Sequence, residues 1–376
     1  MNRPRALSLL LPLVALAVTA SPSWADPAAD TATWLKSLGV KLNSKDATPE
    51  LVKTATSVAF DALAAGKLVP SDLAKLAAMP KLTKVGLGNK SGSDATVAAL
   101  VAAVPKLKSL SVHNSAITDQ ALAEIAKLAD LDELVAFSTG ITAKGMASVA
   151  KLARLKRLDV SGTAIGDAGL QAIKSLGITN LWFNNMKGVT RAGIAHIAAL
   201  PALTHIVMQF AEVDAEIEEL AASKTLASLT VMSSKLTDAG GQKLGRLTQL
   251  TELFLWKTGI TDKTLEAISG LKKLKILYLN DTAVSDAGMK ALAKITTLEV
   301  LWLERTPIGD TGVGVLAPLP ALRWLKLDET KVTDQGIAKL AAAAPALNSL
   351  DLRKTGVTDA AVTAFKATHP KARVSK

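Results

Sequence analysis

The side chains that could support acid–base or metal chemistry are few and scattered. The chain has four histidines and no cysteine. The lack of cysteine excludes disulfides, thiol nucleophiles, zinc–thiolate sites and iron–sulfur clusters. The histidines are His113, His196, His205 and His369. None has a nucleophile or a second metal ligand at a usable spacing, so we predict no metal site and no cofactor.

Carboxylates offer another route to catalysis. Asp328 and Asp351 are about one repeat apart, and a glycosidase could use such a pair. Carboxylates on the exposed face of a sheet are usually solvated surface groups. The sequence also has no P-loop and no G-x-G-x-x-G motif. We therefore predict that the protein is not an enzyme.

A short motif recurs along most of the chain and must position these residues. The segment L-T-E-L-F-L-W-K-T-G-I-T-D begins at Leu250 and recurs, with changes, from Leu274 and from Leu298. Twelve units of 23–25 residues cover residues 82–371. The units begin at Leu82, Leu107, Leu131, Leu155, Ile178, Leu203, Leu226, Leu250, Leu274, Leu298, Leu322 and Leu347.

Each unit predicts one strand and one helix. In L-x-x-L-x-L, apolar and polar residues alternate as in a half-buried strand. A Thr or Ser three residues after the last Leu is expected to bond the turn of the neighbouring unit. Thr-Asp or Gly-Asp then begins a helix, as an N-cap and a first-turn acid. One strand and one helix cannot bury their own apolar faces, so the units must stack into a solenoid.

The pattern L-x-x-L-x-L-x-x-T-x-I-T-D-x-G-L resembles the leucine-rich repeat family. It is most similar to the ribonuclease-inhibitor-like branch and to exported bacterial repeat proteins. The resemblance implies an α/β fold, a right-handed horseshoe whose concave parallel sheet has about twelve short strands, with helices on the convex side. Thr stands where Asn or Cys is usual, and Cys-rich caps are missing. One fold hosts many tasks, so the resemblance alone does not define a ligand.

The first residues predict export. Arg3 and Arg5 precede an apolar run, and Ser23-Trp24-Ala25 offers a cleavage site before Asp26, as in a signal peptide over residues 1–25. A membrane anchor is the alternative, but the run is shorter than the ~20 residues of a span. We expect a periplasmic or extracellular protein without a membrane span.

The segments that flank the repeats are expected to cap the solenoid. Residues 26–81 are predicted to be a helical N-terminal cap. Its helices should cover Thr31–Leu42, the stretch from Pro49 to about Ala65, and Ser71–Met79, the last resembling a repeat helix without its strand. Residues 372–376 form the C-terminal end, where residues 373–375 could add a final strand.

The chain is basic, with a formal net charge of +11. Removal of residues 1–25 takes away two arginines and no acid, which leaves +9. Nucleic acid is the usual partner of a basic chain, but export makes it a poor candidate here. Many lysines fall on predicted helices, where they form a solvated convex surface or interact loosely with an anionic envelope.

Aromatic residues concentrate on the sheet face that the helices do not cover, here called the open face. Of the twelve aromatic residues in 26–376, seven fall on it. Phe254, Tyr278 and Trp302 hold the same position in successive units. Strands about 4.8 Å apart would join them into a stripe, flanked by Trp256 and Trp324.

Apolar patches with a polar rim usually mark contact sites, and aromatic and Arg side chains often dominate them. We predict that the open face recognises a protein or peptide. Glycan or cell-wall binding by the same stripe, and structural self-association, remain the alternatives. The rim contains Glu252, Glu304, Arg305, Lys326, Asp328, Asp351 and Arg353. The candidate ligand-binding residues are Phe137, Trp182, Phe254, Trp256, Tyr278, Trp302, Glu304, Trp324, Lys326, Asp328 and Arg353.

One segment departs from the repeat pattern. It places Glu212, Asp214, Glu216, Glu218 and Glu219 close together. These acids are expected at a helix N-terminus, where negative charge is favourable. A calcium loop would need a different spacing and a turn Gly. A docking patch for a basic partner stays open.

Overall fold

The computed structural model describes residues 26–63, 66–185, 187–209, 213–317 and 319–376. The predicted signal peptide lies outside the described residues. The described strands form one sheet of fourteen strands in chain order and a separate two-stranded hairpin. All neighbours in the large sheet are parallel and in repeat register, as Leu253, Leu277 and Leu301 illustrate. The predicted α/β solenoid with a parallel sheet is confirmed.

The strands are two or more residues long and follow each other along the chain. The hairpin consists of β1 (Lys41–Leu42) and β2 (Lys45–Asp46). The large sheet consists of β3 (Ser57–Ala59), β4 (Lys84–Gly86), β5 (Ser109–Ser111), β6 (Glu133–Val135), β7 (Arg157–Asp159), β8 (Asn180–Trp182), β9 (His205–Met208), β10 (Ser228–Val231), β11 (Glu252–Phe254), β12 (Ile276–Tyr278), β13 (Val300–Trp302), β14 (Trp324–Lys326), β15 (Ser349–Asp351) and β16 (Arg373–Ser375).

Short helices connect the strands. The α-helices are α1 (Pro27–Ser37), α2 (Pro49–Thr54), α3 (Asp94–Ala103), α4 (Asp119–Ile125), α5 (Ala143–Val149), α6 (Gly166–Ala172), α7 (Arg191–Ala198), α8 (Asp214–Leu220), α9 (Asp238–Gly241), α10 (Asp262–Ile268), α11 (Met289–Leu292), α12 (Asp310–Leu316), α13 (Asp334–Ala343) and α14 (Asp359–Thr368). The 3₁₀ segments are Pro70–Ala78, Asn89–Ser91, Leu244–Arg246 and Asp286–Gly288.

The core lies between the sheet and the helices. The Leu residues of the strands and the apolar residues of the helices form one buried cluster that runs from Ala28 to Phe365. Burial of a Leu side chain contributes roughly 1.5–3 kcal/mol. Because each coil buries its leucines against the next, the open face receives only the residues between the leucines.

A repeated clamp ties the start of many of the helical segments to the preceding coil. The carboxylate of Asp262 accepts the backbone N–H of Ser285 at 2.8 Å and its hydroxyl at 2.6 Å. Both bonds recur between Asp94 and Thr118, Asp119 and Thr142, Asp167 and Thr190, Asp214 and Thr237, Asp238 and Thr261, Asp310 and Thr333, and Asp334 and Thr358.

The clamp also explains the Gly of the T-D-x-G pattern. A Cβ on Gly193 would overlap the carboxylate of Asp167, and one on Gly288 would overlap that of Asp262. The Asp was predicted to act at the start of its own helix, and the structure shows that it also accepts hydrogen bonds from the helix start of the next coil. The sequence pattern did not include Asp94 and Asp214, which make the same bonds.

The predicted hydroxyl ladder between units is wrong. The Thr258 hydroxyl donates to the Leu255 carbonyl at 2.7 Å, within its own coil. Thr282, Thr306 and Thr330 do the same. The residue before each Thr has a left-handed backbone, for example Lys257 with φ of 56°. This conformation turns the chain so tightly that the carbonyl three residues earlier accepts the hydroxyl.

The helices of the N-terminal segment differ from the prediction. The first one runs from Pro27 to Ser37 instead of Thr31–Leu42, because Asp26 accepts the N–H of Ala28 as its N-cap. Thr48 caps α2 as its sequence indicates, but α2 ends at Thr54. The predicted continuation to about Ala65 is therefore wrong.

An additional coil follows α2. Ala55, Val58 and Phe60 are buried and take the Leu positions of the motif, while β3 pairs with β4. The Pro70–Ala78 segment thus does have a preceding strand, which the prediction missed because Ala and Phe replace Leu. The final strand at residues 373–375 is confirmed as β16. With β3 and β16 added, the sheet has fourteen strands instead of the predicted number of about twelve.

Among the residues described, no helix combines the length and the apolar character that crossing a bilayer requires.

Candidate functional site

Register places the variable residues of the open face in three columns. The first column holds the first residue of each strand, such as Ile276, Val300 and Trp324. The second holds the third strand residue and contains, in consecutive strands, Phe254, Tyr278, Trp302 and Lys326. The third holds the residue two positions later, which gives Trp256, Asn280, Glu304 and Asp328.

The predicted aromatic stripe of Phe254, Tyr278 and Trp302 forms a continuous row. The rings of Phe254 and Tyr278 meet edge to face with centroids 4.7 Å apart. The rings of Tyr278 and Trp302 stack with centroids 3.6 Å apart and an angle of 7°. Trp256 lies 6.3 Å from Phe254, and the Lys326 ammonium lies 3.8 Å from the centre of the Trp302 ring. All four rings are half-buried.

These contacts hold the stripe rigid. Aromatic pairs contribute about 0.5–1.5 kcal/mol beyond their buried area, and a cation over an aromatic ring about 0.5–2 kcal/mol. Burial raises the pKa of Tyr278, and the carboxylates of Glu252 and Glu304 raise it further. The stripe therefore offers a fixed apolar ridge whose ring faces are largely taken by neighbours and whose edges remain accessible.

Two acids predicted for the polar rim are buried beside the stripe instead. Glu304 is 9 % exposed and Asp328 is 6 % exposed. Burial and the neighbouring Asp328 carboxylate raise the pKa of Glu304, although Lys326 lies 3.6 Å from it. The two acids follow strand-end leucines on adjacent coils, so tight coil packing removes them from solvent. Lys326 joins this pair to the stripe.

The other polar candidates make local ion pairs. The guanidinium of Arg353 contacts both carboxylate oxygens of Asp351, at 2.6 Å and 2.9 Å. Burial would raise the pKa of Asp351, but the hydrogen bonds from Arg353 outweigh it and lower the pKa. Arg305 forms a similar pair with Asp281. Because Asp351 is paired and Asp328 is buried, these two acids do not present a free carboxylate pair to a substrate.

Trp324 stands apart from the stripe. It lies in the first column between Val300 and Ser349. It is 54 % exposed, unlike the half-buried stripe rings. Within the described part of the chain it has no ring contact with the stripe. A cavity of about 370 Å³ lies on one side of it and one of about 630 Å³ on the other.

Phe137 and Trp182 are also remote from the stripe. The ring of Phe137 stacks on His113 with centroids 4.7 Å apart. Trp182 shares the column of the stripe, but Val207 and Thr230 separate it from Phe254. The structure thus brings together Phe254, Trp256, Tyr278, Trp302, Glu304, Lys326 and Asp328. Arg353 lies in the next coil, where the hydrogen bond to Asp351 raises its pKa and where Asp328 and Glu304 are close enough to raise it further, whereas Phe137, Trp182 and Trp324 are separated from the cluster.

The sequence analysis missed a smaller polar cluster near Phe137. The hydroxyl of Ser111 lies 2.7 Å from Nδ1 of His113, and burial raises the pKa of Asp159 on the same face. In the residues that the structure describes, no group of three or more His, Asp or Glu side chains is placed to hold a metal ion.

The acidic segment is largely neutralised by neighbouring coils. Glu212 lies outside the described residues. Asp214 makes the helix-start clamp. Glu219 accepts from Arg191 at 2.9 Å, and Lys243 lies 3.5 Å from Glu218. Asp214 and Glu216 lie in the first turn of α8, as expected. Glu218 and Glu219 lie toward the C-terminal end of α8 instead, and cations of neighbouring coils compensate their charge.

Comparison with known proteins supports the repeat architecture. The family described as Leucine Rich repeat matches residues 154–174 and 270–293. No curated protein sequence matches the chain. An internalin from Listeria monocytogenes has a similar structure, with a TM-score of 0.53, 17 % identity and 94 % of each chain covered. Matches to 461 solved chains show that the fold is widely used, so it does not by itself select a function. The repeats, the family match and the shared fold together support a leucine-rich repeat protein.

Proposed function

We propose that this protein is an exported, non-catalytic scaffold that binds a protein or peptide ligand on its open face. The observation that supports this proposal most is the aromatic stripe. A solenoid needs its leucines for stability, yet here three large rings lie in a row on the side that the helices leave uncovered. Aromatic ridges beside charged groups are typical of protein contact sites.

The geometry of the rings favours protein over glycan as the ligand. Sugar rings stack on open aromatic faces, but Tyr278 and Trp302 cover one another and Lys326 covers the Trp302 ring. Ring edges and the Lys326 ammonium are the groups left for contact. Glycan binding stays a second candidate because Trp324 is 54 % exposed and could stack on a sugar.

Binding should depend on the stripe and not on other rings of the open face. The bait would be residues 26–376, presented to cell-envelope extract, with bound protein and bound sugar both analysed. A captured protein would then be purified and its affinity measured. We expect saturable binding that weakens at least tenfold in the double variant Tyr278→Ser/Trp302→Ser.

Phe137→Ala is the matched control, because Phe137 lies on the same face and also stacks on a ring. Circular dichroism must show that all baits are folded. Equal affinity of the wild type and the stripe variant would refute the stripe as the binding surface. Sedimentation velocity at several concentrations would reveal self-association, which would instead make the stripe an interface between copies.

Export is part of the proposal. It rests on the signal-like residues 1–25 and on the position of Asp26, which caps the first helix of the fold immediately after the proposed cleavage site. Mass spectrometry of the protein from fractionated cells should find a mature N-terminus at Asp26. An uncleaved chain recovered from the cytoplasm would contradict export.

A further inference from the structure

Trp324 lies in a groove that is separate from the stripe. On one side the cavity is lined by Ile276, Val300 and Arg323, and on the other side by Ser349 and Arg373. Both cavities are lined by Trp324 and Asn348, and together they are here called the Trp324 groove. The groove crosses the strands from β12 to β16 along the first column of the open face.

The groove carries positive charge that the described residues do not neutralise. Arg323, Lys371 and Arg373 are exposed, and among the described residues none of the three forms an ion pair. Glu299 is the one acid among the described residues that line the groove, and it is already paired with Lys275 at 3.0 Å. Elsewhere on the open face the cations are neutralised, as in the pairs Arg157–Glu133, Lys326–Glu304 and Arg353–Asp351.

The groove also has an apolar part of its lining. Ile276 and Val300 form part of its floor, and the Trp324 ring rises between the two cavities. Five strands spaced by about 4.8 Å span about 19 Å. An extended peptide rises about 3.3 Å per residue, so about six residues would fill this length.

We propose that the Trp324 groove binds an extended acidic peptide segment of a partner protein. An aromatic or aliphatic side chain of the peptide packs on Trp324 and on the floor at Val300. Carboxylates on either side of it contact Arg323 in one cavity, and Lys371 and Arg373 in the other. The aliphatic floor favours a peptide over a sugar, whose hydroxyls would remain unpaired there. This inference rests on the proposed function, because it names the chemistry of a ligand for the same scaffold.

Fluorescence anisotropy can test the groove with a defined probe. The probe is a labelled hexapeptide, Asp-Glu-Phe-Asp-Glu-Glu, and the reference is its uncharged analogue, Asn-Gln-Phe-Asn-Gln-Gln. The protein is residues 26–376. We expect the acidic probe to bind at least tenfold more tightly than the analogue, and to weaken as salt is added because exposed charges are screened.

Variants identify the site. Trp324→Ala should weaken binding of the acidic probe at least tenfold, and Arg323→Gln and Arg373→Gln at least threefold each. All three side chains are exposed, so the fold should be retained, as circular dichroism can verify. Lys84→Gln is the matched control because it removes a cation of the first column outside the groove, and it should change the affinity less than twofold.

Other outcomes overturn the inference. Equal binding of the two peptides, or insensitivity to Trp324→Ala, removes the groove as an acidic-peptide site. Tighter binding of hexagalacturonate, with the same dependence on the variants, replaces the peptide with an anionic glycan. If the wild type still captures a partner that Tyr278→Ser/Trp302→Ser loses, failure of the groove leaves the proposed function intact. If the acidic peptide binds the groove but no captured partner depends on the stripe, the groove inference stands and the stripe fails as the binding surface.

Discussion

The helix-start turns and the open face follow opposite rules, although the same repeat builds both. At the turns, one Asp makes the same two bonds in coil after coil, as Asp262 does with Ser285. On the open face, neighbouring residues of a column change from Thr230 to a ring at Phe254 and to a charge at Lys326.

The contrast between the turns and the open face distinguishes positions that the fold constrains from positions that can vary to suit a ligand. A clamp residue contacts the next copy of its own motif, so any change must be matched in the neighbouring coil. Outside the stripe, an open-face residue has no such requirement, because the leucines beneath it already hold the strand. Variation on the open face is therefore where binding specificity can be placed at little cost in stability.

The largest effect should come from breaking a clamp. Asp238 accepts two bonds from Thr261 and one from Thr264. Asp238→Ala should lower the free energy of unfolding by about 2–3 kcal/mol, because it leaves donors between coils without an acceptor. Urea denaturation measures the change. Asp359→Ala is the control, since Asp359 holds the same motif position, but among the described residues its carboxylate bonds Lys376 and no backbone N–H of another coil. Similar losses in both variants would contradict the clamp.

Two tryptophans of the open face, Trp302 and Trp324, should separate stability from binding. Trp302→Ala removes the stack on Tyr278 and the Lys326 contact and should cost about 1–2 kcal/mol of stability. Trp324→Ala should leave stability within about 0.5 kcal/mol, as expected for a surface change. Thermal denaturation of both variants tests this. An equal loss in the two would show that Trp324 also supports the fold.

A smaller effect is expected at the turn that precedes the clamp. Lys257 has φ of 56°, whereas Asn114 holds the equivalent position with φ of 50°. Asn tolerates this left-handed backbone better than Lys. Lys257→Asn should therefore stabilise the protein by about 0.5–1 kcal/mol, and Asn114→Lys should destabilise it similarly. Chemical denaturation measures the free energy of unfolding of both variants. A change of the same sign in the two variants would contradict this explanation.

The smallest effect is a difference in pH dependence. Burial would raise the pKa of Asp238, but the hydrogen bonds from Thr261 and Thr264 outweigh it and lower the pKa. Its contribution is therefore present above the ordinary value of 3.8 and is lost as pH falls through the lowered pKa. The pKa of Glu304 is raised above 4.5, so the folded state binds its proton more tightly. Ionisation of Glu304 thus reduces stability as pH rises from 4.5 through the raised pKa.

Glu304→Gln tests the second half of this contrast. The variant should gain stability relative to the wild type as pH rises from 4 to 7, in urea titrations at constant ionic strength. Glu252→Gln is the control, as another open-face acid. A stability difference between Glu304→Gln and the wild type that does not change with pH would show that Glu304 ionises as readily in the folded chain as in the unfolded one.

The repeat period made much of the fold predictable, and its exceptions were missed for a definite reason. The strands and the Thr caps of the helices follow from the spacing of Leu and Thr. The strand at Ser57–Ala59 was missed because Ala55 and Phe60 replace Leu. The segment keeps the spacing of buried residues but lacks the leucines by which the other units were identified. The stripe was predictable because parallel register brings equivalent residues of successive units together.

What the sequence determined by itself was the set of positions: which residues enter the core, which begin the helices and which reach the open face. These follow from alternation along a strand and from local capping. Only the tertiary structure decided that Asp262 bonds the next coil and that Glu304 and Asp328 are buried. It also decided that Trp324 lies apart from the stripe, beside the cations Arg323, Lys371 and Arg373, which form no ion pair with any described residue. Such features depend on which atoms of adjacent coils come into contact, and the spacing of residues along the sequence does not specify the distances between those atoms.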